Sequence, residues 1–266
     1  MSLRSAVAHR NLLYLLSLKE LRTRYRKSLL GWAWTLLNPV SQMVIFSVVF
    51  LVIFDQPAPT GDPSGLTSFP IYLLCGLLPF QFFSISITAS ISSVAGNSGL
   101  ITKVSFPHEH LALSIIVAQL VTFLIELAVL SVVIVIAGQM VLPWLVPTIA
   151  LTALLSLFTT GIALALSAAN VFFHDVNYLW TIVAQVLFYA TPIIYVPEQV
   201  SDNVWIRHIA NFGPTGSFIR AYQDLLYSGA MPSPLRWGYL AVMTAVVFFG
   251  GATVFGRLSP RFAEEL

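Results

Sequence analysis

Six long apolar blocks are the feature that most constrains how this 266-residue chain folds. Each block is long enough to cross the roughly 30 Å hydrocarbon layer of a bilayer as an α-helix. A transmembrane barrel needs alternating segments of about ten residues, and the run from Leu124 to Ile136 shows no such alternation. Only 9% of the residues are charged, against about a quarter in soluble domains. We predict an all-α integral membrane fold. The predicted transmembrane helices are Leu36 to Phe54, Phe69 to Ser92, Leu111 to Ala137, Leu145 to Ala168, Val176 to Tyr195 and Trp237 to Phe255.

The distribution of basic residues predicts the orientation of these helices. Seven of the thirteen Lys and Arg residues precede Gly31, and short cytoplasmic segments carry the excess of positive charge. The second connection contains Lys103 and the tail contains Arg257 and Arg261, whereas the first and third connections contain no Lys or Arg. The fourth connection, placed inside by alternation alone, contains none, and the longer fifth connection, placed outside, contains Arg207, Arg220 and Arg236. We therefore place both termini in the cytoplasm. Because the basic cluster adjoins an apolar block, it indicates anionic headgroups rather than nucleic acid as its partner.

The segment before the first block predicts an amphipathic helix on the cytoplasmic interface. Leu18, Leu21, Tyr25 and Leu29 follow one another at spacings of three and four, which places them on one helical face. The chain is then one domain over residues 1–266, with an interfacial region 1–31 and a six-helix region 32–266. Whether the helix only sets topology or also docks a partner stays open.

The fifth connection, residues 196–236, is too apolar for a disordered linker. Gly213-Pro214 and Gly216 interrupt it. We predict short re-entrant helices on the extracellular side, covered by protein or water because irregular backbone is not tolerated against lipid. The apolar residues are Val204, Trp205, Ile206, Ile209, Phe218, Ile219, Leu225 and Leu226.

The sequence contains no phosphate-binding loop of the form Gly-x-x-x-x-Gly-Lys-Ser/Thr. The chain is therefore not expected to hydrolyse a nucleotide by itself, and an ATP-driven machine would need a separate motor subunit. His108-Glu109-His110 has metal-binding residue types, but a spacing of two places the imidazoles on different helical faces. We expect neither a metal site nor a disulfide, since Cys75 is the single cysteine.

Glu126 lies in the middle of the third block. An ionised carboxylate at that depth costs several kcal/mol unless it faces water or a partner. Two readings stay open: a functional acid, or a protonated or hydrogen-bonded carboxyl held by Thr122 or Ser131.

Aromatic residues are dense at the ends of the blocks. Most are expected to form the interfacial aromatic belt. The alternative is a lining for sugars, since a pyranose offers apolar C–H faces that pack on rings. The candidates for such a path are Trp32, Trp34, Phe80, Trp180, Phe188 and Tyr189.

Three groups of motifs resemble the polysaccharide-export branch of the type-2 ABC transporter permeases, which includes the membrane subunits for O-antigen, teichoic acid and capsule export. His174 stands where that family commonly has Arg, and Asn211-Phe212-Gly213-Pro214 replaces a more compact Asn-Pro. The motifs are Leu18-Lys19-Glu20-Leu21, Arg24-Tyr25-Arg26-Lys27-Ser28, Leu30-Gly31-Trp32-Ala33-Trp34 and Leu37-Asn38-Pro39; then Gly76-Leu77-Leu78-Pro79-Phe80 and the run from Asn97 to Pro107; then Phe173-His174-Asp175-Val176 and Phe188-Tyr189-Ala190-Thr191-Pro192-Ile193-Ile194-Tyr195.

The resemblance implies a homodimer in the bacterial plasma (inner) membrane, paired with two copies of an ATP-binding subunit that hold ATP and Mg. This chain would carry no cofactor and no catalytic residue, and it would export a lipid-linked glycan along the dimer interface. A coupling loop would contact the ATP-binding subunit through Asn97, Leu100, Ile101, Lys103, Phe106 and Pro107. The interfacial helix would contact the motor and membrane lipids through Leu18, Leu21, Arg24, Tyr25, Arg26 and Lys27.

Three other functions remain as alternatives, and one of them, a non-catalytic membrane scaffold, predicts that removing a motor partner leaves glycan export unchanged. An ABC exporter of a lipid or drug would share the architecture without a sugar path. A membrane enzyme acting on lipid-linked sugars should group its acidic residues at one interface, whereas the acidic residues here are scattered among separate connections.

Overall fold

A computed structural model describes residues 10–25, 31–53, 59–101, 106–195 and 213–265, and all regular structure within these ranges is helical. This confirms the all-α prediction. Four helices have the length and composition to cross a membrane, and two more apolar helices are shorter. The α-helices in the described ranges are α1 Arg10–Tyr25, α2 Trp34–Ser47, α3 Phe69–Ile91, α4 Ser98–Ile101, α5 Glu109–Ile136, α6 Leu145–Phe172, α7 Val176–Ala190, α8 Pro214–Tyr222, α9 Pro234–Leu258 and α10 Phe262–Glu265.

Each predicted block falls on one helix, but the fifth helix is shorter than predicted. The block was expected to continue to Tyr195, whereas α7 ends at Ala190. The physical reason is Pro192, because the residue before a proline is driven out of the helical region. Thr191 accordingly has φ −90° and ψ 136°. At the first block, a π-helical segment, Val48–Ile53, extends α2, and the predicted last residue, Phe54, lies outside the described residues.

Helix α3 is the centre of the bundle. It begins with Pro70 in its first turn, where a missing N–H costs nothing. Leu73, Cys75 and Leu78 are at most 1% exposed. Helices α2, α5, α6, α7 and α8 all pack against it. An element that is apolar on all sides is stable only when it is surrounded, and this arrangement surrounds α3 with protein.

Helices α6 and α9 pack more extensively than any other pair of described helices. Two glycines make this possible: a Cβ atom added at Gly251 would lie 1.9 Å from the Gly161 carbonyl oxygen, and one added at Gly161 would lie 2.4 Å from the Val247 carbonyl oxygen. Small residues at a crossing allow membrane helices to approach backbone to backbone. The backbones of the two helices are therefore in direct contact at this crossing.

The second half of the fifth connection is helical and buried. Helix α8 continues into a π-helical segment, Gln223–Ser228, and Tyr222 is fully buried with its hydroxyl 2.9 Å from the Thr152 hydroxyl. Gln223 donates from Nε2 to the Pro192 carbonyl oxygen at 3.0 Å. The predicted apolar residues Phe218, Ile219, Leu225 and Leu226 lie in this core. The predicted residues Val204, Trp205, Ile206 and Ile209 lie outside the described residues.

Tyr227 links the first connection to this segment through hydrogen bonds. Its hydroxyl oxygen lies 3.2 Å from the amide nitrogen of Ser68, which donates to it, and 3.0 Å from the carbonyl oxygen of Leu66; it also contacts the carbonyl of Pro59. Ser64 returns a hydrogen bond of 2.6 Å to the Tyr227 carbonyl. One phenol group thus satisfies backbone groups of a loop that is distant in the sequence.

Replacing Tyr227 with phenylalanine is expected to destabilise the protein by about 1–3 kcal/mol, because it removes the acceptor of the Ser68 amide and the single O–H donor shared by the Leu66 and Pro59 carbonyls. The measurement is thermal unfolding of the purified protein in detergent. Tyr178→Phe is the control, since Tyr178 is 74% exposed. Equal midpoints for the two variants would contradict the role of the Tyr227 hydroxyl.

Candidate functional site

A groove of about 380 Å³ runs between α2, α3 and α7. Its walls combine aromatic rings with amide and hydroxyl groups, and the rings of Phe80 and Phe188 lie 5.4 Å apart. The Oε1 atom of Gln42 is buried and has no hydrogen-bond partner in the described part of the chain. Such a surface suits a ligand with apolar C–H faces and hydroxyl groups. The lining residues are Gln42, Ile45, Phe46, Leu77, Phe80, Gln81, Ser84, Ile85 and Phe188.

The predicted aromatic set separates into different environments. Phe80 and Phe188 meet in the groove, and Tyr189, 65% exposed, contacts Phe188 edge-on at 5.4 Å. Trp34 is exposed at the start of α2. Trp180 instead lies in the core of the chain, where its indole N–H donates to the Thr88 hydroxyl at 2.9 Å. The side chain of Trp32 lies outside the described residues.

The polar residues of the groove were missing from the sequence prediction. Gln42 lies three and four residues before Ile45 and Phe46, and Gln81 lies three residues before Ser84. Polar residues repeated at helical spacing within apolar blocks were the available signal. Only the packing of α2 against α3 shows that the two stripes face the same groove.

Glu126 is 8% exposed in the interior of α5. The Thr122 hydroxyl donates to the Ala118 carbonyl at 3.3 Å, and the Ser131 hydroxyl donates to the Leu127 carbonyl at 2.7 Å. The hydroxyl groups of Thr122 and Ser131, which were predicted as partners of Glu126, therefore donate to backbone carbonyls of their own helix. The functional role of Glu126 stays a prediction.

A second apolar cluster lies at the other end of the bundle from the Tyr227 network, around the loop between α3 and α5. Asn97 donates its side-chain amide to the Ser93 carbonyl at 2.8 Å, which fixes the start of the loop. Ile101 is 7% exposed and belongs to the cluster, whereas Leu100 is 37% exposed beside it. The loop therefore has one anchored face and one open face.

The second part of this loop is also attached to the cluster. Phe106 packs on it, and the carbonyl of Pro107 accepts a hydrogen bond of 3.1 Å from the amide of His110. The predicted contact Lys103 lies outside the described residues. Burial lowers the pKa of His108, and the charge of Glu109 opposes that shift. A neutral imidazole suits its place among aromatic rings, 5.4 Å from Phe106.

Helix α1 packs along α5. Leu16 contacts the second cluster and Ser17 is 5% exposed, while Leu18 and Leu21 are partly buried. Leu16 and Ser17, which face the bundle, therefore lie two and one residues before Leu18, the first residue of the predicted stripe. The side chains of Arg24 and Tyr25, and the whole of residues Arg26, Lys27 and Leu29, lie outside the described part of the chain.

The described residues contain no group of three or more His, Cys, Asp or Glu side chains arranged to hold a metal ion. His110 lies within the bundle, with Nδ1 3.1 Å from the Pro107 carbonyl oxygen.

Comparison with known proteins gives a family and close relatives. Residues 11–227 match the family described as ABC-2 type transporter. The O-antigen export system permease protein RfbA of Myxococcus xanthus is 30% identical, covering 99% of this chain and 98% of that protein. The protein of the same name from Klebsiella pneumoniae is 28% identical over 96% and 95% of the two chains. The polysialic acid transport protein KpsM of Escherichia coli is 26% identical over 90% of each.

Proposed function

Because this chain belongs to the ABC-2 type transporter family, we propose that it is the membrane-spanning permease subunit of an ATP-driven exporter of lipid-linked polysaccharide. It moves the glycan from the cytoplasm across the bacterial plasma (inner) membrane. The proposal rests on similarity over almost the full length to a protein named as an O-antigen export permease. The chain is accordingly a transport subunit and catalyses no covalent step.

The proposed topology has six transmembrane helices and both termini in the cytoplasm. Six apolar helices support it, four of them of full spanning length. The other two are α2, which the π-helical segment lengthens to Ile53, and α7, which has 15 residues and a length of about 22 Å. In this topology α8 and the segment after it form the re-entrant part of the last extracellular connection.

The proposed path lies between two copies of the chain. A homodimer places the groove of α2, α3 and α7 from each copy along a shared channel. Phe80 and Phe188 offer ring faces to the sugars, and Gln42, Gln81 and Ser84 offer hydrogen-bonding groups. Rings that bind C–H faces without fixing one hydroxyl pattern allow a long polymer to slide.

The energy source is a separate subunit. We propose that two ATP-binding subunits, which hold ATP and Mg, contact the loop from Asn97 to His110 and helix α1. The open face at Leu100 supports this assignment, because an exposed apolar residue beside a buried anchor is available to a partner. ATP drives export only if it binds the two conformations of the complex with different affinity.

The experiment that tests the function is depletion of this protein, followed by localisation of the lipid-linked glycan. We expect completed polymer to accumulate on the cytoplasmic side, because synthesis continues while export stops. The measurement is labelling of the glycan in intact and in permeabilised cells.

Accumulation of unextended precursor instead of polymer would contradict export and would indicate an enzyme acting on lipid-linked sugars. Normal delivery of the glycan with loss of a lipid or drug efflux activity would indicate the other transport alternative. Restoring the wild-type gene is the matched control for both outcomes.

A further inference from the structure

The chain turns back on itself after α9. A 3-10 turn, Ser259–Arg261, follows the last long helix and leads into the single turn of α10. Arg261 and Glu264 are exposed, yet Phe262 between them is 0% exposed. The fully buried ring of Phe262 therefore anchors a segment in which Pro260, Arg261, Glu264 and Glu265 are exposed.

Three rings from three parts of the chain enclose Phe262. The ring centroid of Phe255 in α9 lies 5.5 Å away, and that of Phe172 at the end of α6 lies 6.2 Å away. His108, from the loop that precedes α5, lies 5.9 Å away and itself contacts Phe106 at 5.4 Å. Phe262 therefore fills the space between the α6–α9 pair and the loop.

The surrounding apolar cluster is separate from the main core around α3. It collects Val94 and Ile101 from the loop, Leu111 from α5 and Leu16 from α1. The cluster also contains residues of α6 and α9, among them Leu164 and Ala252. The elements proposed to contact the motor thus meet α6 and α9 in one small cluster, and the Phe262 ring lies between His108 of the loop and the rings of Phe172 and Phe255. Close-packed groups of this kind transmit displacement because they do not deform continuously.

We propose that Phe262 is a positioning residue that fixes the motor-contact loop to the α6–α9 pair, so that movement of the loop becomes movement of those helices. This inference rests on the proposed function. Without the ring, the loop keeps its open face and still binds the motor. Movement of the loop is then taken up by the cavity that the missing ring leaves, and it does not move α6 and α9.

The test is Phe262→Ala, reconstituted in liposomes together with the ATP-binding subunit. We expect the subunits to remain associated and the ATPase rate to stay within about twofold, while glycan moved per ATP hydrolysed falls about tenfold, the range of a typical coupling between sites. Both rates are measured on the purified complex with its ATP-binding subunit, so that unfolded permease and free motor subunits do not enter the ratio. A general loss of stability lowers export and ATPase activity together and leaves the ratio unchanged.

Two further variants make the result specific. Phe262→Leu keeps an apolar filling and is expected to recover a large part of the ratio. Arg261→Ala, an exposed neighbour on the same turn, is expected to match the wild type. If Phe262→Ala does not accumulate in membranes, Phe262→Leu carries the test and is expected to show a partial loss.

An unchanged ratio of glycan to ATP in Phe262→Ala, or in Phe262→Leu where that variant stands in, would overturn the positioning role. Failure of the proposed function is a different result. In that case the wild-type chain itself shows no ATP-dependent glycan movement with the ATP-binding subunit.

Discussion

Replacing Gly251 with valine is expected to push α6 and α9 apart, so that most of the protein fails to fold and little folded protein accumulates in the membrane. The first carbon of any side chain at Gly251 would lie 1.9 Å from the Gly161 carbonyl oxygen and 2.9 Å from its Cα atom. These are backbone atoms, so no rotamer change relieves the collision. Overpacking a core typically costs 1–3 kcal/mol, and a backbone collision exceeds about 3 kcal/mol.

The neighbouring residue provides the control. Gly250 lies in the same helix, and a Cβ atom added there has no atom within 4 Å. Gly250→Val therefore changes helix propensity equally without a collision. The measurement is the yield of monodisperse protein after detergent extraction, together with its thermal midpoint. Equal yields and midpoints for the two variants would show that the close α6–α9 contact is not required for folding.

Replacing Leu100 with aspartate is expected to lower ATP-dependent export at least about tenfold, equivalent to ~1.4 kcal/mol. Leu100 is 37% exposed, so an aspartate there is hydrated in the isolated chain and leaves the fold intact. In a complex the same carboxylate is buried without a partner, which opposes docking. The measurement is co-purification of the ATP-binding subunit and export in reconstituted vesicles.

A matched charge at the other end of α3 is the control for this prediction. Thr67 is exposed in the first connection and lies before a helix of 23 residues, about 35 Å long. Thr67→Asp adds the same charge far from the proposed motor contact and is expected to preserve export. If the Leu100→Asp variant bound the ATP-binding subunit as well as the wild type does, α4 would not be part of the proposed interface.

Apolar length and proline position make most of the fold predictable from the sequence. All six blocks fall on helices because the backbone N–H and C=O groups of an apolar run in a bilayer must form their hydrogen bonds within that run. The error at the fifth block has a local cause that was also visible, since Pro192 ends α7 at Ala190. Short re-entrant helices with apolar residues were predicted in the fifth connection. The burial of α8 in the protein core and its hydrogen bonds to distant segments depend on tertiary packing and were not predicted.

The candidate site was less predictable because two of its parts depend on contacts between distant segments. Phe80 and Phe188 were candidates from aromatic density alone, but the same reasoning selected Trp180, which packs in the core beside Phe83. Phe262 gave no signal at all. The carboxy-terminal segment that contains Phe262 was notable only for its basic residues. A single aromatic residue after the last apolar block has no periodicity from which a buried face could be predicted.

The position of Phe262 along the chain also has a consequence for synthesis. Proteins are made from the amino terminus, and Phe262 follows the last long helix. The cluster containing Phe106 and His108 is therefore incomplete until α9, the last of the described long helices, has been made. Under the proposed role of Phe262, an ATP-binding subunit that binds earlier would hydrolyse ATP without moving α6 and α9, so coupled transport would begin only when the carboxy-terminal turn has packed into the cluster.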